Sequence, residues 1–89
     1  MSNVFIIFQT NEDTRNIVAA ILQDNDAAVV NEQPAMVRID SPGRLTIKRE
    51  SIEEKMGRDF DLQELHVNLI SLSGNINETD DEFSLSWAH

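Results

Sequence analysis

Asp61-Leu62-Gln63-Glu64-Leu65-His66-Val67-Asn68-Leu69-Ile70-Ser71-Leu72-Ser73-Gly74 opens like a helical turn and closes like a strand. Asp61 with Glu64 three residues on is an N-cap and N3 pair, each side chain able to satisfy the other's free backbone N–H. From Leu65 the pattern changes to period two. Leu65, Val67 and Leu69 fall on one face, His66, Asn68 and Ile70 on the other. The second face then turns apolar at Ile70 and Leu72, with Ser71 and Ser73 opposite. A strand with one wet face is not apolar on both. Either the strand is covered on both sides inside the domain, which is the commoner case, or one side is kept for another protein.

The flanking chain supplies a small mixed fold around this strand. Val4 to Phe8 is a continuous apolar run, as expected of a central strand covered on both sides. Thr10 offers an N-cap oxygen for a helix running to about Gln23, with Glu12 and Asp13 at its positive end. Ile17, Val18, Ile21 and Leu22 form its apolar stripe, and Asp24-Asn25-Asp26 ends it. Ala28 to Asn31 is a second strand, parallel to the first if both share one sheet. Pro34 interrupts, and Ala35, Val37 and Ile39 then alternate with Met36, Arg38 and Asp40. Ser41-Pro42-Gly43 is a turn signal, and Leu45 and Ile47 alternate with Thr46 and Lys48, so these two strands read as a hairpin. Ser51 and Glu54 read as a capping box, with Ile52 and Met56 facing inward and Gly57 closing the helix. Phe60 is expected to fold back onto the core. Gly74 to Asp81 reads as an acidic loop, and Phe83, Leu85 and Trp87 as a last strand pairing with Leu65–Leu72. The fold class is α+β, one domain over residues 1–89, in the approximate order β-α-β-β-β-α-(short α)-β-β.

Composition narrows the function. A chain of 89 residues with no cysteine excludes disulfides, thiolate metal sites and cysteine nucleophiles, and fits a reducing cytoplasm. The N-terminus lacks the basic leader of a signal peptide, and no apolar run reaches the ~18–20 residues that span a bilayer. A formal net charge of −9 repels phosphate backbones and anionic lipid, and favours a basic partner surface or simple solubility.

Chemistry is hard to assemble. The two histidines, His66 and His89, stand in no ligand spacing. Glu78, Asp80, Asp81 and Glu82 lack the alternation of a calcium loop and read as solvated. Glu53 and Glu54 point about 100° apart on a helix and cannot flank one substrate atom. Arg58 lies four residues after Glu54, in the order of a local helix pair. The scattered glycines form no phosphate loop, and nothing resembles a nucleophile elbow. The chain is therefore expected to have no catalytic, metal or cofactor residues.

Several segments carry a family likeness. They are Val4-Phe5-Ile6-Ile7-Phe8-Gln9, Pro34-Ala35-Met36-Val37-Arg38-Ile39, Arg49 through Arg58, and Leu69-Ile70-Ser71-Leu72-Ser73-Gly74-Asn75, with the acidic stretch before Phe83. In this order they resemble the regulatory (effector or coupling) proteins of bacterial multicomponent diiron monooxygenases, nearest the phenol hydroxylase branch. The resemblance implies a cofactorless α+β effector that binds a diiron hydroxylase and promotes coupled oxygen activation and hydroxylation of an aromatic. In the methane monooxygenase branch, a segment similar to Val67–Gly74 faces the hydroxylase. Carried over by position, Asn68, Ile70, Ser71 and Leu72 become interface candidates, with Met36 and Arg38 as secondary ones. Ile70 and Leu72 are bulkier and more apolar here than in that branch. The rival readings are a stand-alone small-ligand-sensing domain of ferredoxin-like topology and a purely structural minor subunit.

Overall fold

A computed structural model describes residues 3–87. Among the described residues, seven strands and three α-helices follow one another: β1 (Asn3–Gln9), α1 (Glu12–Asp24), β2 (Val29–Glu32), β3 (Met36–Pro42), β4 (Arg44–Lys48), α2 (Arg49–Met56), a 3₁₀ turn (Leu62–Glu64), α3 (Leu65–Asn68), β5 (Leu69–Ser73), β6 (Asn75–Glu78) and β7 (Glu82–Ser86). They form a four-stranded sheet, β2-β3-β1-β5, and a three-stranded one, β4-β7-β6. The expected α+β class holds.

β1 is central, antiparallel to β3 on one side and β5 on the other, and β2 is antiparallel to β3. β1 and β2 are therefore parallel within one sheet, as the strand–helix–strand reading expects, but with β3 between them. This is the split β-α-β order found in ferredoxin-like sheets. The second sheet is what departs from that topology.

The core lies between the sheets and helices. Val4, Ile6, Phe8, Val37 and Ile39 from the first sheet meet Leu45, Ile47, Phe83 and Leu85 from the second. Ile17, Ala20 and Ile21 of α1, Ile52 of α2, and Phe60, Leu62 and Leu65 complete the cluster. Phe60 folds inward as expected, its N–H held by Glu53 Oε2 at 2.9 Å. Only one face of β1 is fully sealed, however, since Phe5 and Ile7 on the other face are half-buried.

Several local expectations are corrected. β3 and β4 are not a hairpin: Gly43, at φ 73°, turns the chain out of one sheet, and β4 pairs with β7 in the other. The alternation of Leu45 and Ile47 fits Leu85 and Phe83 as well as it fits β3, so periodicity could not choose the partner. β7 likewise pairs with β4 and β6 rather than with β5. Part of the acidic loop is the edge strand β6. Asn11, not Thr10, caps α1, its side chain accepting from Thr14 N. α2 begins at Arg49, two residues before Ser51, because Arg49 N–H finds Asp81 O at 2.9 Å across the fold. Ser51 is thus buried in the first turn and caps nothing. Arg58 lies beyond Gly57, which closes α2, and reaches Glu64 at 3.5 Å and Asp13 at 4.0 Å instead of Glu54.

The Asp61 stretch behaves as read at its start and differs in its middle. Asp61 and Glu64 form a reciprocal capping box. The helical turn then runs on to Asn68, so the strand begins at Leu69. Leu65 is buried while Val67 is 76% exposed, so they do not share a sheet face.

Candidate docking surface

Antiparallel register decides which side chains share the uncovered face of the four-stranded sheet. One row runs Val29–Asp40–Phe5–Ser73 and the next Asn31–Arg38–Ile7–Ser71. Met36, opposite Gln9, lies on the same face one step further along β3. Arg38 is the polar centre of this face. It grips Asp40 in a two-point fork, Nε to Oδ2 at 2.9 Å and Nη2 to Oδ1 at 3.0 Å. Its Cζ lies 4.1 Å from the centroid of the Phe5 ring, a cation–π stack. The hydrogen bonds it donates to Asp40 raise the pKa of the guanidinium above its ordinary value. The guanidinium therefore stays charged to a higher pH than an ordinary arginine.

The β5 edge carries a local irregularity. Ile7 faces Ser71, yet the next residue, Phe8, faces Leu69. Ile70 is the extra residue of a bulge, which re-aims a side chain and twists the edge. Ile70 is 52% exposed. Leu72, opposite Ile6, is half-buried and packs against the core. The two residues do not share one apolar face, because the bulge breaks the alternation between them.

Of the candidates, Met36, Arg38 and Ser71 therefore share the outer face, and Ile70 stands at its β5 edge. Asn68 closes α3 immediately before that edge, and its Oδ1 accepts from Asn11 Nδ2 at 2.7 Å. Leu72 points to the other side. Sequence reasoning missed Phe5 and Ile7, since a continuous apolar run reads as covered on both sides, and it did not single out Val29. It also missed Val67, which the period-two reading turned inward.

His66 lies on α3 rather than on a strand, its Nε2 3.6 Å from Glu78 Oε2 and its ring edge-on to Phe83. His89 lies outside the described residues. Among the described residues, no group of three or more His, Asp or Glu is placed to hold a metal ion, and no helix is long and apolar enough to cross a membrane.

The MmoB/DmpM family pattern matches residues 2–86. The chain belongs to the MmoB/DmpM family. It is 50% identical over 86 residues to DmpM, the stimulatory component of phenol 2-monooxygenase from Pseudomonas sp. (strain CF600), across 97% of this chain and 96% of that one. A solved chain from a phenol hydroxylase–regulatory protein complex superposes with a TM-score of 0.93 at 49% identity, covering 98% of this chain and all of the other. The soluble methane monooxygenase regulatory protein B shares the fold, with a TM-score of 0.75 at 18% identity, across 94% of this chain and 64% of that one. Within the MmoB/DmpM family, nothing in these likenesses supports the small-ligand-sensor alternative.

Proposed function

We propose that this chain is the cofactorless effector of a multicomponent phenol-type monooxygenase, acting in the cytoplasm. It binds the diiron hydroxylase and couples NADH-derived electrons to aromatic hydroxylation without catalytic residues of its own. Kinship along the whole chain with a stimulatory component, and with a regulatory protein solved in complex with phenol hydroxylase, carries this reading.

The uncovered sheet face and the Ile70 bulge supply the docking surface. Ile70, Met36 and Phe5 provide apolar contact, and Arg38, Asn68 and Ser71 directional hydrogen bonds. Leu72 acts from behind, by packing β5 against the core. The effector works by population shift. It binds one hydroxylase conformation better than another and biases the equilibrium by that difference alone. A coupling of ~1–3 kcal/mol changes the populations by roughly 5- to 150-fold.

The test is turnover of purified diiron hydroxylase and reductase with and without this protein, counting product per NADH. The reading requires the protein to raise both rate and coupling. Unchanged turnover and coupling would reduce it to a structural subunit at most.

A further inference from the structure

Asn11 and Asn68 join two elements that are distant in sequence, and the direction of their hydrogen bond is dictated from one end. Asn11 Oδ1 accepts from Thr14 N–H at 2.9 Å, closing the N-terminus of α1. That leaves Asn11 Nδ2 as the atom facing Asn68, to which it donates at 2.7 Å. The helix cap thus sets the amide orientation of Asn11. Asn68 must in turn present Oδ1 to Asn11. Its Nδ2 has no partner among the described residues. Val67 and Ile70, on either side of it in the chain, are 76% and 52% exposed.

We infer that the relay Thr14–Asn11–Asn68 fixes Asn68 as a hydrogen-bond donor toward the hydroxylase, facing an uncharged carbonyl oxygen there, with Asn11 as the positioning residue. The inference rests on the docking surface proposed above. An acidic chain of net charge −9 disfavours a partner surface rich in carboxylates, and among uncharged acceptors a main-chain carbonyl is the commonest. The relay also ties the docking edge to the first turn of α1, so the donor is pre-oriented before the proteins meet.

Asn11→Asp tests the polarity. Aspartate caps a helix as well as asparagine does. Its second oxygen cannot donate, so the Asn68 amide turns over to donate to it and presents Oδ1 outward. The expected result is unchanged helicity and thermal midpoint, with about 3- to 10-fold weaker binding to the hydroxylase by titration. The loss must persist at high salt, where the added charge is screened. Asn11→Ser keeps a cap without reversing the relay and should fall between wild type and Asn11→Asp. Adding Asn11→Asp to Asn68→Ala should weaken binding no further than Asn68→Ala alone.

Wild-type affinity of Asn11→Asp at high salt, or additive losses in the double variant, overturns the inference. Side-chain amide NMR of the free protein decides the orientation without a partner. Slowly exchanging Asn11 NH₂ protons and fast Asn68 ones support the relay, and the reverse overturns it. If the wild-type chain does not bind the hydroxylase at all, the proposed function itself falls.

Discussion

Ile70 and Leu72 lie two residues apart and do opposite work. A one-residue bulge puts Ile70 outside and leaves Leu72 against Ile6. Ile70→Ala should therefore change stability by less than about 0.5–1 kcal/mol, as expected at a half-exposed site. Leu72→Ala should cost about 1–3 kcal/mol, toward the lower end of core truncations because the residue is only partly buried. Chemical denaturation of both variants measures the difference. Gly74 makes a second prediction at this scale. Its φ is +133°, and a Cβ there would stand 2.9 Å from Val4 Cγ1. Gly74→Ala combines backbone strain with a clash against a sealed residue, and should cost about 2–4 kcal/mol. The sequence announced the apolar residues around Ile70 but not their directions. A bulge shifts phase by one residue and leaves no signature in composition.

At the scale of elements, the sequence was most readable where one segment carries its own signal. The capping box at Asp61, the end of α1 at Asp24 and the Gly57 stop of α2 all lie where local chemistry puts them. It was least readable where a distant partner decides. β4 chose β7 over β3, and the first turn of α2 formed early because Arg49 N–H meets Asp81 O. Asn25 is another such residue, visible in sequence only as a helix terminator. Its Nδ2 donates to Ile21 O and Thr46 O, each at 2.7 Å, and its Oδ1 accepts from Thr46 N at 2.9 Å. One side chain thus closes α1 and fastens it to β4. Asn25→Ala should cost about 2–3 kcal/mol, more than one hydrogen bond is worth, because several backbone groups lose their partner at once. Thermal melting followed by circular dichroism tests this.

Across the whole molecule, charge and apolar surface divide the labour of association. The net charge of −9 acts over a Debye length and, in the proposed complex, would govern encounter. In the docking proposed above, the uncovered sheet face would act on contact and govern how long the complex lasts. Raising salt from about 0.05 to 0.5 M should slow association with the hydroxylase several-fold while changing dissociation little, as stopped-flow mixing would show. The family likeness was legible because it is spread along the entire chain. The proposed docking face was legible only in part, because β1, which supplies Phe5 and Ile7, reads as buried on both sides.

The central claim is that this uncovered face, with Ile70 at its edge, is where the hydroxylase docks. Its most direct measurement is stimulation of hydroxylase turnover by Ile70→Asp, with the fold of the variant checked by circular dichroism. The account predicts a native spectrum and a stimulation reduced at least ten-fold at wild-type working concentration, the equivalent of about 1.4 kcal/mol or more. A natively folded Ile70→Asp that stimulates as well as wild type would contradict it.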